Sequence, residues 1–306
     1  MRRPHLLTTA AVVLALGLTV VAHEPQSNAR RDRGFDYDTF DALPDATATS
    51  VQGINARGDI VGSYTRGGVT HGFLLSDGVL TTIDYPGASS TDARGINARG
   101  DIVGAYRIAG EPPVNVHGYL REKHGQLVPL NFPEHTSTIP QRITSSGLIL
   151  GCRHDTDTMS TMRGIMMNSR DASEHAEIDA FASMNNGAAQ DGQLIVGLYT
   201  DMDTNRGRGY LLYGETFIPF DVPGSSFTAA WDVNARGEVV GVYRDAVTGL
   251  FNGFVWGALQ FERISVAGAT ATRAFGINSH GSVVGTFIDA TNKAHGFIAT
   301  KRRMKD

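Results

Sequence analysis

From Phe35 onward the apolar positions fall in short β-branched runs, each closed by a glycine- or proline-centred break. The first set reads Val51–Asn55, Asp59–Tyr64, His71–Leu75 and Val79–Tyr85. Between the first two lies Asn55-Ala56-Arg57-Gly58, a tight reversal in which Gly58 takes the left-handed position at least steric cost. Asp77-Gly78 joins the third and fourth as a two-residue hairpin loop, and Pro86-Gly87 stops the last run. No later stretch sustains a 3.6-residue period with caps, so the pattern predicts strands and no helix beyond the N-terminal leader.

This four-strand set recurs six times. The glycine of the second strand falls at Gly62, Gly104, Gly151, Gly197, Gly241 and Gly285, with spacings of 42 to 47 residues. A His-Gly-Phe-like element in the third strand follows with the same period, at Gly72, Gly118, Gly164, Gly209, Gly253 and Gly296. A repeat of this length built from four antiparallel strands predicts an all-β fold, a six-bladed β-propeller. The ends favour a closed ring. Phe35–Leu43 matches the fourth strand of a unit, whereas the sixth unit stops after its third strand at His295-Gly296-Phe297-Ile298. The N-terminal strand is therefore expected to complete the last blade.

Three histidines, His71, His117 and His295, share one repeat position and invite a metal hypothesis. Counting outward from the hairpin loops gives another account. His71 falls opposite Asp84, His117 opposite Asn131, Arg208 opposite Asp221, and Asn252 opposite Ser265. Arg163 and Asp179 hold the matching positions in the third unit, and Asp41 of the N-terminal strand is the partner expected for His295. Structural cross-strand pairs of this kind contribute about 0.2–1 kcal/mol each, and residues in separate blades lie too far apart to share an ion. No metal or cofactor is expected.

The motifs Gly-Ile-Asn-x-x-Gly-x-Ile-Val-Gly-x-Tyr, His-Gly-Phe and Ile83-Asp84-Tyr85-Pro86-Gly87-Ala88 resemble the HAF-repeat family of bacterial extracellular repeat proteins. The resemblance covers residues 35–300 and implies secretion and a repeat β architecture, without supplying catalytic residues. The third unit departs most, with Arg142-Ile143-Thr144 in place of Gly-Ile-Asn and Arg163-Gly164-Ile165 in place of His-Gly-Phe.

The N-terminus bears on location. Arg2 and Arg3 precede an apolar run from Leu6 to Val21, and Val20-Val21-Ala22 has the small residues of a cleavage site. Residues 1–22 are thus expected to be a signal peptide, 23–34 a disordered lead-in, 35–300 the propeller and 301–306 a basic tail. The product is expected to be secreted or periplasmic, monomeric, and without a membrane span once the leader is gone. The formal charge of −4 includes the +2 of Arg2 and Arg3, leaving −6 for the mature chain. That balance argues against nucleic acid, whose phosphates require a basic face. A single cysteine, Cys152, excludes an internal disulfide and is expected to be a buried, inert thiol.

Residues that recur in every unit are explained by blade construction, so function is sought where units fail to copy one another. At the position of Gln52 the units carry Gln52, Arg94, Gln141, Gly187, Trp231 and Phe275. At the next they carry Gly53, Gly95, Arg142, Ala188, Asp232 and Gly276. Arg94, Arg142, Trp231, Asp232 and Phe275, with nearby Arg273, form one non-repeating constellation near the axis. Arginines beside aromatic rings suit an anionic or sugar-like ligand, while plugging of the channel is the plainer role. The constellation is expected at the mouth bearing the long variable loops.

Two further signals have structural explanations. Asp201-Met202-Asp203-Thr204-Asn205 alternates oxygen donors as a calcium loop does but lacks the closing Glu, and reads as an acidic turn with Asx bonds. Met159, Met162, Met166 and Met167, near Cys152, His154 and His175, could offer soft ligands to Cu(I), but two of them occupy core strand positions. No Gly-x-Ser-x-Gly, His-Glu-x-x-His or phosphate-binding loop is present. The expected function is an exported, non-catalytic binding module whose ligand is an anionic carbohydrate or another exported protein. The alternative is a hydrolase or lyase acting on an anionic carbohydrate or ester at the channel mouth.

Overall fold

The computed structural model describes residues 34–302 apart from 156, 157, 172, 190 and 191. Six separate four-stranded antiparallel sheets form the blades of a β-propeller. Blade 1 contains Ala48–Ile54, Ile60–Arg66, Val69–Ser76 and Val79–Ile83, in that spatial order. Blades 2 to 5 repeat it. Blade 6 contains Ala271–Ile277, Val283–Ile288 and Ala294–Lys301, and its outer strand is the N-terminal Phe35–Phe40, paired from Phe35↔Lys301 to Phe40↔Gly296. The ring closes as expected. His295 Nδ1 lies 2.8 Å from Asp41 Oδ1, and Lys293 Nζ donates to the other carboxylate oxygen at 2.7 Å.

The boundaries differ slightly from the sequence reading. The last strand runs through Lys301, and Arg302 N–H donates to the Gly34 carbonyl at 3.1 Å, so the tail begins later than residue 301. The signal-peptide segment and residues 23–33 of the lead-in lie outside the described residues. One unanticipated helical turn, Thr158–Thr161, occupies the loop of blade 3 between its second and third strands.

Two motifs of the repeat explain each other. In blade 1, Gly62 pairs with Phe73, and a Cβ on Gly62 would stand 2.1 Å from the Ser50 carbonyl and 2.9 Å from the Phe73 ring. The aromatic of His-Gly-Phe thus lies over the bare backbone of Ile-Val-Gly. Gly104 with Tyr119, Gly197 with Tyr210, Gly241 with Phe254 and Gly285 with Phe297 repeat the arrangement. These rings are fully buried, and the hydrophobic core lies between neighbouring blades. One cluster joins Val240, Val255 and Ile264 of blade 5 to Phe35, Val283 and Phe297 of blade 6. Another joins Val51, Tyr64 and Phe73 of blade 1 to Val284, Phe40 and Ile298 across the closing seam.

The Asn of Gly-Ile-Asn has two tasks. Asn55 Oδ1 accepts from the Arg57 and Asp59 amides of its own turn, while its Nδ2 donates to the Asn97 carbonyl of the next blade at 3.2 Å. Asn97 reaches Thr144, and Asn234 reaches Asn278, in the same way.

Candidate functional site

The six first strands line the axis, and each carries a one-residue β-bulge at the same place. Register slips between Val51 and Gly53, Ala93 and Gly95, Pro140 and Arg142, Asn185 and Gly187, Ala230 and Asp232, and Ala274 and Gly276. The bulged residues are therefore Gln52, Arg94, Gln141, Asn186, Trp231 and Phe275. Bulges re-aim side chains, and here they bring one unpaired residue per blade to the channel. The fourth unit is corrected by one position: Asn186 and Gly187, not Gly187 and Ala188, match Gln52 and Gly53.

The residue after each bulge sits where the strands crowd together. A Cβ on Gly53 would lie 2.9 Å from the Arg94 carbonyl, and one on Gly95 only 2.6 Å from that of Gln141. Four blades use glycine there. The other two carry Arg142 and Asp232, and these find each other, with Nε to Oδ2 at 3.3 Å. This is an ion-pair contact rather than an aligned hydrogen bond, since Arg142 Nε has no hydrogen-bond partner among the described residues. The other guanidinium nitrogens are engaged by backbone. Nη1 donates to the carbonyls of Arg94 (2.9 Å) and Gln141 (2.8 Å), and Nη2 to Gln52 (2.9 Å) and Phe275. Asp232 accepts from the amides of Val233 (2.9 Å) and Ile277 (3.2 Å). Burial pushes its carboxyl above the usual carboxylate range, and Arg142 pulls it part of the way back. The pair joins blades 3 and 5 across the axis, while the Arg142 guanidinium also reaches blades 1, 2 and 6.

Below the pair, toward the Asn-x-x-Gly turns, two depressions of about 130 and 250 Å³ share walls of Ile54, Ile143, Thr144, Ala188 and Ile277. They lie on the opposite side from the variable loops, where the sequence had placed the site. Above the pair, the bulged side chains bond mostly to one another and to the first strands. Gln52 Nε2 donates to Ser50 Oγ (2.8 Å), and Gln141 Nε2 points to Met184 Sδ (3.2 Å). Arg94 is held by Asp92 (3.3 Å) and by Gln141 Oε1 (3.4 Å). Trp231 meets Phe275 edge-on at 4.9 Å. Arg273 does not join them. It is exposed, with its guanidinium 5.2 Å from the Phe251 ring centre. Of the six candidates, Arg94, Arg142, Trp231, Asp232 and Phe275 surround the axis, and Arg273 stands on the rim.

The cross-strand pairs are borne out at three positions and altered at three. His71 Nδ1 lies 2.9 Å from Asp84, Arg208 donates to Asp221 (3.0 Å) and Asp201 (3.1 Å), and His295 reaches Asp41. His117 bonds Glu111 of its own loop at 2.7 Å instead of Asn131, because that longer loop brings a carboxylate closer. Asn252 and Ser265 are bridged by Arg263, at 2.9 and 3.4 Å. Arg163 turns from Asp179 to the carbonyls of Ser160 and Met162, which the helical turn presents.

The other sequence signals resolve into structure. Asp201 Oδ1 accepts the amides of Asp203 and Thr204, an Asx turn, and Asp245 and Asp289 build the corresponding loops of blades 5 and 6. These turn amides hold the carboxyls of all three below the usual range. Met167 is core. No cluster of metal-ligating residues occurs among the described residues, nor is any helix there long and apolar enough to cross a membrane. Cys152 is buried, and desolvation pushes its thiol up to about 12. The native protein should therefore resist a disulfide reagent such as DTNB at pH 8 and release one equivalent only on unfolding. Prompt native labelling would contradict that burial.

Sequence reasoning missed the residue that fixes the loops entering each first strand. Thr49, Thr91, Thr138, Thr228 and Thr272 each accept a backbone amide of the preceding loop, from Ala42, Tyr85, Phe132, Val222 and Val266. Ser183 holds the equivalent place in blade 4 and accepts from Gly164. The signal was available, since each stands four residues before the axial position.

No protein family matches the chain by sequence, and no curated protein matches it. Solved structures do. A TolB-type protein of Agrobacterium tumefaciens superposes with a TM-score of 0.56 at 10% identity, over 87% of this chain and 97% of that one. A gluconolactonase of Xanthomonas campestris gives 0.52 at 13% identity, over 88% and 96%. The β-propeller domain of the trilobed protease of Pyrococcus furiosus gives 0.51 at 11%, over 85% and 97%. The likeness is one of fold. That propeller has an open velcro topology, whereas the last blade here is completed by the N-terminal strand.

Proposed function

We propose that the protein is an exported binding propeller of the HAF-repeat type, non-catalytic, which presents its variable loops to an anionic carbohydrate or another exported protein. The observation that carries this reading is the fate of the axial charges. Arg142 and Asp232, the pair best suited to chemistry, are spent on each other and on the chain's own backbone. The loops, by contrast, differ from blade to blade on a common frame. Blade 1 turns on Gly67-Gly68, blade 2 spans residues 109–116 with Pro112-Pro113, and blade 3 inserts a helical turn. A rigid scaffold with variable loops suits recognition. The leader pattern supports export.

The test is an array of acidic and neutral glycans probed with the mature chain. Salt-sensitive retention of acidic glycans, with the glycans recovered intact, is expected. Cleavage of a retained glycan would replace this reading by the hydrolase or lyase alternative.

A further inference from the structure

The loop face is not electrostatically uniform. On blade 1 the basic residue opening the third strand meets a carboxylate, His71 with Asp84. On blade 2 it is His117 with Glu111, on blade 4 Arg208 with Asp201 and Asp221, and on blade 6 His295 with Asp41 and Asp289. Blades 3 and 5 break the rule: Arg163 of blade 3 bonds the carbonyls of Ser160 and Met162 rather than a carboxylate, and blade 5 has no basic residue there. Asn252 stands at that position, and the arginines around it, Arg244, Arg263 and Arg273 of the neighbouring strand, make no ion pair among the described residues. Arg263 donates to Asn252 and Ser265, and Arg244 to the Gly249 carbonyl. Arg273 has no hydrogen-bond partner among the described residues, only the ring of Phe251. The local carboxylate, Asp245, has Oδ1 committed to the amides of its own turn.

Phe251 stands between Arg244 (5.9 Å) and Arg273 (5.2 Å), with Phe227 edge-on at 6.1 Å. A guanidinium stacked on a ring is oriented but keeps its N–H groups free, the arrangement suited to bidentate capture of a carboxylate. Two residues along the strand from Arg273 is Phe275, whose ring supports half-buried Trp231.

We propose that the blade 5–6 rim of the loop face, Arg244, Phe251 and Arg273, binds uronate units of an acidic saccharide. The carboxylate meets the two guanidinium groups, which the Phe251 ring orients. This deepens the binding reading above and rests on it. It also moves the contact from the axis to the rim.

Calorimetric titration of the mature chain with trigalacturonate tests it, with the carboxyl-reduced trisaccharide as the uncharged comparison. Binding of trigalacturonate is expected, weakened by salt and at least about tenfold weaker for the reduced sugar. Arg273→Ala should lower affinity at least about tenfold. Arg273→Lys should restore only part of it, because an ammonium neither stacks as a plane nor binds bidentately. Arg170→Ala, an exposed change on blade 3, should change nothing. These arginines are exposed, so thermal stability should be unaffected in each variant. Failure of trigalacturonate to bind overturns the proposal. So does binding that is indifferent to both Arg244→Ala and Arg273→Ala. In the second case a saccharide-binding propeller survives with its site elsewhere, and in the first the glycan array decides that broader reading separately.

Discussion

Replacing Arg142 by methionine should destabilise the protein by about 3–5 kcal/mol, the usual cost of leaving one member of a buried ion pair without its partner. The change strips Asp232 of its counter-charge and removes the donors that serve the carbonyls of Gln52, Arg94, Gln141 and Phe275. Asp232→Asn should cost less, because the guanidinium keeps those carbonyls and the amide oxygen can still accept from one of the two backbone amides, Val233 or Ile277. Returning both positions to the glycine of the other blades, Arg142→Gly with Asp232→Gly, should cost less than the sum of the single changes. A coupling of about 0.5–3 kcal/mol is the expected size for residues in contact.

The dependence on pH separates this from simple loss of packing. Asp232 has a carboxyl raised by burial in the folded state, so its contribution is fully present below the ordinary carboxylate range. That contribution is lost as pH rises through the raised value. Removing Arg142 raises that value further and deepens the loss at neutral pH. Denaturant titrations should therefore show the Arg142→Met deficit narrowing as pH falls toward about 4. A deficit independent of pH would mean that Asp232 is not charged in the native ring.

The repeat made the fold legible because its punctuation is local. Asp77-Gly78 fixes a hairpin register by itself, and that register alone placed His71 against Asp84. The offset between an orphan fourth strand at Phe35 and a missing one after Ile298 was enough to infer closure. The site was harder to read, for three physical reasons. A bulge adds a residue without changing the motif around it, so the fourth unit slipped by one and Asn186 went unrecognised. Arg142 and Asp232 are separated by 90 residues, and nothing local says that two substitutions of glycine in blades 3 and 5 will neutralise each other across an axis. Loop length decides which carboxylate a histidine meets, which is why Glu111 displaced Asn131 from His117. Absence of pairing proved more informative than presence: Arg273, grouped by sequence with the axial residues, belongs to a rim where arginines lack acidic partners among the described residues.

Closure by the N-terminal strand holds the whole architecture together, and a disulfide across it should have a large effect. Asp36 and Thr300 are opposite one another in the outer pair of blade 6, and both are exposed. Neighbouring antiparallel partners lie within the Cα separation that a disulfide spans. With Cys152 buried and unreactive, Asp36→Cys combined with Thr300→Cys should oxidise to one intramolecular bridge. Joining the two ends of so long a loop should stabilise by up to about 5 kcal/mol through the entropy of the unfolded chain. The direct measurement is a non-reducing gel of the oxidised double variant beside its reduced form, with thermal unfolding of both. A monomeric band of increased mobility, quantitative and reversed by reductant, with a higher unfolding temperature when oxidised, is the expected result. A double variant that folds yet keeps two free thiols, or that cross-links only between molecules, would contradict a ring closed by its own first strand.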